Sequence, residues 1–494
     1  MGLFTSPPPR QKPPKVPSDT VIPFHFLDDQ LYAKALILHL TYRFDGVLDV
    51  GKLKGALERL VELEGWRKLG GRVREGENGR LEYHVPEKYT EERPGFNWTH
   101  VEHQMSINEH ELASQLPRTP ADATGPVLFE DPAKFYGLIC APSTPRHIDD
   151  WLYTDTAPLS IHINSFTDAT LLSMNCGHYL WDALGQASFL QAWIALLNGR
   201  EADVPPVVGY DKDPFDKVGT QVQPEKYILR DSILTGWRWW LFVFNMIVEL
   251  LWYRKQEGRA IFLPGSFVNN LRERAIASLP VDSEGNAPFL SEGDVLLAWW
   301  TRLTTKTQGV RGSTPVLIMN VSNLRGLIDE ALPPGAAYLA NATMVTNTHI
   351  SAQTLLDQSL SQTALQIRND LRTQRIPEQA HAWISLQKEM DKSLGRAPMV
   401  GQPGMVFHAY SNWHRGRFYD VDFSAAVVGG GKGGRPSYIN VTGLENGFST
   451  RNSGPILGRD GKGDWWMHWN LRAGGWGRVE EELRSLGEGP KKEI

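Results

Sequence analysis

In the stretch MNCGHYLWDALGQASFLQAW, residues 174–193, a histidine and an aspartate stand four positions apart where a strand-like run gives way to a helix-like one. A neutral imidazole near pH 7 is the side chain best matched to taking a proton from a hydroxyl whose own pKa lies far above 7, so His178 is a candidate general base. Asp182 has two readings: it orients the imidazole as the acid of a serine-protease triad does, or it caps the helix that follows. Cys176 lies two residues before His178, so along a strand the two side chains share a face, and a thiolate activated by the imidazole would form an acyl-enzyme. A small buried cysteine in a core strand accounts for Cys176 equally well. The glycine-rich VVGGGKGGRP, residues 427–436, offers consecutive backbone N–H groups. However, Lys432 is followed by Gly433 rather than Ser or Thr, and Ala426 stands where a phosphate loop has its first glycine. It reads as a flexible loop. No Cys/His or Asp/Glu cluster has metal-ligand spacing, so no metal is expected.

These residues need elements to hold them. LSIHINSFTDATLLSMNCGHYL, residues 159–180, contains two β-type runs around a turn at Asp168 and predicts a hairpin that ends at His178. ALGQASFLQAWIALLNGRE then predicts a helix with Leu190, Trp193, Ile194 and Leu197 on one face, stopped by Gly199. Upstream, ALILHLTYRFDG predicts a strand and DVGKLKGALERLVELE a helix with Leu53, Leu57, Leu60 and Leu63 at helical spacing. Residues 86–135 read as loops and short helices, and 203–230 as a linker. The most hydrophobic stretch runs from Trp239 to Trp252 and is shorter and more polar than the roughly 20 residues of a spanning helix. A helix packed in the core or between domains is the expectation; the alternative is an interfacial helix with its tryptophans at lipid headgroups and Arg254 and Lys255 alongside. SEGDVLLAWWTRLTTKT predicts a further helix capped by Ser291, followed by strands such as PVLIMNVSNLRGLI, GMVFHAYSNW and FYDVDFSAAVV.

The chain has 494 residues, 41% hydrophobic and 22% charged, which suits a globular protein of two or more domains. A net charge of -5 supplies no basic footprint for nucleic acid. Two cysteines, Cys140 and Cys176, and no secretory signal point to the cytoplasm. The proline-rich residues 1–20 read as a disordered arm that does not pack, and MGLFTS matches the loose pattern for acylation at Gly2.

Four stretches, in order, resemble the BAHD acyltransferases, the plant and fungal enzymes that move an acyl group from coenzyme A to a hydroxyl or amine. HFLDDQ with LERLVELEGWRKLGGRV is similar to the family's opening strand, helix and GR segment. GHYLWDA is similar to its His-x-x-x-Asp motif, NVSNLRGLIDEALPPGAAYLANA to its arginine-containing stretch, and YSNWHRGRFYDVDFS to the approach to its Asp-Phe-Gly-Trp-Gly signature. Patterns such as DVLLAWW and QAWIALLNGRE place the resemblance in the fungal, trichothecene O-acetyltransferase-like branch. It implies an α/β fold of the chloramphenicol acetyltransferase-like type, with two similar-sized mixed-sheet domains and an active-site channel between them. The expected division is 21–203 and 263–494, joined by a crossover at 204–262.

The resemblance also implies roles. His178 is the base; Asp182 turns away to pair with Arg325 and fix the catalytic loop; Ser411 and Trp413 supply oxyanion or substrate donors; Asp422 belongs to a structural motif. Two departures stand out: the signature reads DFSAA, and Ala183 replaces the usual glycine after Asp182. The implied reaction is direct transfer of an acyl group, acetyl by default, from acyl-CoA to a hydroxyl or amine of a hydrophobic natural product. No cofactor is permanently bound, and the enzyme works as a monomer, with a weak membrane-surface contact left open for 237–255. Alternatives are a condensation-like enzyme using carrier-protein thioesters, although Gly177 stands where those have the first histidine of their HHxxxDG motif, and a catalytically silent protein that holds a hydrophobic ligand.

Overall fold

Apolar residues concentrate where strands must be covered on both faces, and the computed structural model, which describes residues 10–445 and 449–488, builds its architecture around those runs. The described strands are β1 (Thr20–Pro23), β2 (Leu36–Phe44), β3 (Arg72–Glu75), β4 (Leu81–Val85), β5 (Asn97–Glu102), β6 (Val127–Leu128), β7 (Ser160–Ser165), β8 (Thr170–Gly177), β9 (Gln256–Leu263), β10 (Pro315–Asn323), β11 (Thr343–Ser351), β12 (Val406–Asn412), β13 (Pro436–Glu445), β14 (Ser453–Arg459) and β15 (Trp465–Arg472). They form a five-stranded sheet in the order β13-β2-β8-β7-β5, a seven-stranded sheet in the order β11-β10-β12-β14-β15-β9-β6, and a small sheet β1-β4-β3.

Both large sheets are mixed. β5 runs parallel to β7 while β2, β7, β8 and β13 pair antiparallel, and β12 runs parallel to both β10 and β14. Each sheet closes an edge with a strand from the other half of the sequence: β13 pairs with β2, and β6 with β9. β8, central in its sheet, is buried at all eight positions, as a strand covered on both faces must be.

The hairpin β7–β8 and the helix Ala183–Leu197 lie where the sequence predicts them. Asp182 caps that helix by accepting from Gly185 N at 2.8 Å, and Gly199 follows its end with φ +69°, a conformation glycine adopts without strain. The helix Val50–Glu62 buries Leu53, Leu57, Leu60 and Val61. The helix Glu292–Thr307 starts at a capping box in which Ser291 and Asp294 satisfy each other's backbone N–H groups.

FYDVDFSAAVV, expected as a strand, instead forms two short 3-10 turns, Phe418–Asp420 and Ser424–Ala426. Three further expectations are corrected. Residues 86–135 contain the strand β5, which the sequence hides because NWTHVE is an edge strand with exposed polar positions. Residues 10–19, read as part of an unpacked arm, run along the surface: Arg10 pairs with Asp150, Lys15 with Glu82, and buried Asp19 with Arg93 at 2.7 Å. Gly2 and the rest of residues 1–9 lie outside the described residues. The third concerns helix Gly236–Trp252, expected to pack in the core or between domains: none of its residues is buried, and Trp237, Trp240 and Trp252 stand open to solvent. Hydropathy records how apolar a helix is and cannot record whether a neighbour covers it. Among the described residues no helix is long and apolar enough to cross a membrane.

Candidate active site

β8 ends at Gly177, and the chain is held in place as it leaves the sheet: His178 N donates to Leu36 O on β2 at 2.8 Å. The His178 carbonyl accepts from Asn341 Nδ2 at 2.9 Å. The same amide nitrogen donates to Asp28 at 2.8 Å, and Asn341 N reaches that carboxylate at 2.9 Å. Asp28 is fully buried near Lys68, and burial pushes its carboxyl up and the lysine ammonium down. The imidazole is half-buried at the wall of a cavity of about 870 Å³, with the Tyr32 ring edge-on to it at 5.9 Å. His178 Nδ1 is sealed from solvent, which leaves Nε2 as the nitrogen turned to the cavity. Burial lowers the His178 pKa below its ordinary value, partly opposed by the negative charge of Asp182, so the ring is neutral at pH 7.

Asp182 faces away from that ring. Its carboxylate accepts Arg325 Nη1 at 2.7 and 3.0 Å, Gly185 N at 2.8 Å and Ala342 N at 2.8 Å. Arg325 in turn donates through Nη2 to the carbonyls of Tyr338 at 2.6 Å and Ala340 at 2.9 Å. The helix cap and the ion pair are thus one structure: a single carboxylate ties the start of the helix after His178 to the chain between β10 and β11.

Another part of the cavity wall comes from the seven-stranded sheet, through β10, β11 and β12. Ser411, on β12, is half-buried there, and Trp413, just past the strand end, is almost fully buried. Their polar groups are not two separate donors as expected. Trp413 Nε1 donates to Ser411 Oγ at 2.8 Å, so the indole fixes the serine oxygen and leaves the serine hydroxyl hydrogen to point elsewhere. His178 and Ser411 therefore line one cavity from two sheets.

The remaining predicted residues lie elsewhere. Cys176 is buried, is not among the cavity-lining residues, and burial pushes its thiol up, away from the thiolate form. Asp422 sits at the surface, where it accepts from Ser424 N at 3.0 Å and Arg435 Nε at 3.2 Å, and neither it nor the glycine-rich loop lines the cavity. A second cavity of about 780 Å³, beside helix Gly265–Ala277, has no histidine or cysteine in its walls. Asn341 and Tyr32 were not singled out from the sequence. Asn341 stands in LANA, at the end of a stretch the resemblance covers, and Tyr32 lies two residues past HFLDDQ, just outside another.

No family model matches the chain. Among curated proteins it is 38% identical to acetyltransferase adrJ of Penicillium rubens, over 99% of this chain and 100% of that protein. It is 37% identical to transcriptional regulator calD of Penicillium decumbens, over 98% of this chain and 99% of that one. Among solved structures, TRI101 of F. sporotrichioides, crystallised with coenzyme A and T-2, superposes with a TM-score of 0.65 at 15% identity, over 94% of this chain and 98% of that one.

Proposed function

Because the chain belongs to the fungal branch of the BAHD-type acyltransferases, we propose that it transfers an acetyl group directly from acetyl-CoA to a hydroxyl of an apolar natural product, with His178 as the general base. The acceptor hydroxyl gives its proton to His178 Nε2 as its oxygen attacks the thioester carbon. The carbonyl oxygen becomes an oxyanion, which the Ser411 hydroxyl stabilises by donating to it. Collapse of the tetrahedral intermediate breaks the carbon–sulfur bond, and the departing thiolate takes the proton from the imidazolium. Asp182 and Arg325 act as positioning residues, and Asp422 holds a surface turn. The protein works as a cytoplasmic monomer of two units that follow 21–203 and 263–494 except where strands cross: β6 joins the seven-stranded sheet, β13 the five-stranded one, and β9 begins inside the 204–262 crossover.

The observation that carries this reading is a neutral, half-buried histidine and an oriented serine hydroxyl in the walls of one cavity. It favours acyl transfer over the silent-binding alternative, since holding an apolar ligand requires neither group. The regulator name of the Penicillium decumbens protein is not carried over, because a net charge of -5 gives no footprint for DNA phosphates. A second histidine at position 177, as in condensation-like enzymes, has no room: a Cβ there would run into the Tyr179 ring.

The test is incubation of the purified protein with acetyl-CoA and fungal metabolite extracts, following free thiol and product masses. Thiol release matched by a metabolite that has gained one acetyl group is expected. Loss of the thioester to water alone, with no acetylated metabolite, would contradict the reading.

A further inference from the structure

Helix Gly236–Trp252 meets the protein body along its polar side. Arg238, Asn245 and Glu249 are spaced by seven and four residues, which places them on one stripe. The protein body receives that stripe: Arg238 Nη2 donates to Gly401 O at 3.1 Å, Asn245 Nδ2 to Pro403 O at 2.9 Å, and Glu249 lies 3.9 Å from Arg451. Trp239, Phe242 and Val243 are half-buried beside it, with Arg396 stacked 3.6 Å over the Trp239 ring. The outer face is an unbroken apolar stripe, with Trp240 69%, Phe244 61% and Leu251 64% exposed. A contiguous exposed stripe of large apolar side chains marks a surface that meets a nonpolar medium.

We propose that this stripe lies in the headgroup region of a lipid bilayer, with the helix parallel to the membrane plane. Its 17 residues span about 25 Å. It is not built to cross, and a helix of this kind instead buries its apolar face in the boundary between headgroups and chains. Tryptophans stand near both ends, at Trp237 and Trp240 and again at Trp252, where indoles suit the headgroup level. Charge favours lipid over a second apolar protein face: Arg254 and Lys255 follow the helix and are exposed, and the helix's one acid, Glu249, lies toward Arg451.

The position of the helix gives the contact a use. The segment 397–403 that receives it also walls the catalytic cavity through Ala397, Pro398 and Met399, and Leu234 N donates to Met399 O at 2.8 Å just before the helix begins. An apolar acceptor dissolved in the bilayer thus enters the cavity beside the helix. This route rests on the proposed acyl transfer; the membrane contact does not.

The experiment is flotation of the full chain with phosphatidylcholine vesicles, with and without phosphatidylserine, and without substrate, so that it can be read whatever the enzyme acetylates. The wild type is expected to float with both, more strongly with phosphatidylserine at low salt. The variant Trp240→Ser/Phe244→Ser/Leu251→Ser should lose at least about tenfold in partitioning with its melting temperature unchanged. A wild type that stays in the lipid-free fraction overturns the proposal. So does a dimer in sedimentation velocity that the triple variant abolishes without any vesicle binding, because a second copy would then cover the stripe. Once an acceptor is identified, vesicles carrying it should speed the wild type and not the variant; binding without that stimulation overturns the entry route.

Discussion

Two aspartates from two motif segments, Asp182 in GHYLWDA and Asp422 in DFSAA, look equivalent as letters and are not equivalent in space. Asp182 is nearly inaccessible and gathers an arginine and two backbone N–H groups around one carboxylate. Asp422 leaves 41% of its side chain exposed and meets a single arginine that is itself at the surface. Water does for Asp422 what the protein must do for Asp182. The anchor of the DFSAA segment is instead Phe423, fully buried, edge-on to both Phe44 and Trp193. A signature that has lost both glycines and its tryptophan can therefore remain in place, while the loop beside His178 depends on one ion pair.

That contrast can be broken by measurement, beginning where the effect should be largest. Asp182→Ala or Arg325→Ala should each remove about 3–5 kcal/mol of stability by leaving a buried charge unpaired. The double variant should lose less than the sum, as chemical denaturation would show. Wild-type stability in either single variant would mean that the pair is not what fixes the loop. Across the cavity, Ser411→Ala should lower kcat by about 10²–10³ with an unchanged melting temperature. Trp413→Phe, which removes only the bond that orients the serine, should cost about tenfold or less. A Trp413 effect larger than that of Ser411 would reverse the two assigned roles.

The acid side of the pH profile sharpens the same picture. Burial lowers the His178 pKa, so the neutral base persists as pH drops through 6.5. Activity should hold there and fall only as the pH passes the lower folded value, where the imidazole takes up a proton. A profile that turns down above 6.5 would place the ring in a wetter or more acidic setting than the structure gives it. The smallest effect belongs to Asp422→Asn, expected to change stability by no more than about 0.5 kcal/mol and to leave kcat as it is.

Much of this was legible in the sequence where local periodicity speaks. The hairpin β7–β8, the capped helix after it and the His178–Asp182 spacing survive intact because each depends on neighbours within a few residues. What hid is non-local or depends on cover. The pairing of β13 with β2 joins segments almost 400 residues apart, and nothing in PSYINVTGLE names its partner. Asn341 reaches the His178 carbonyl from 163 residues away in the sequence. The Trp413–Ser411 bond depends on how the chain bends at the end of β12. The apolar helix Gly236–Trp252 was readable as a helix, but its outward face was not, because only the surrounding structure decides which side meets water.

The most direct test of the account is the single-turnover rate of acetyl transfer by His178→Ala beside the wild type, with acetyl-CoA and the acceptor both bound. The base assignment predicts a fall of roughly two to four orders of magnitude in a protein whose melting temperature holds, since Asp182 and Arg325 still fix the loop. A His178→Ala enzyme that transfers the acetyl group at the wild-type rate would contradict it.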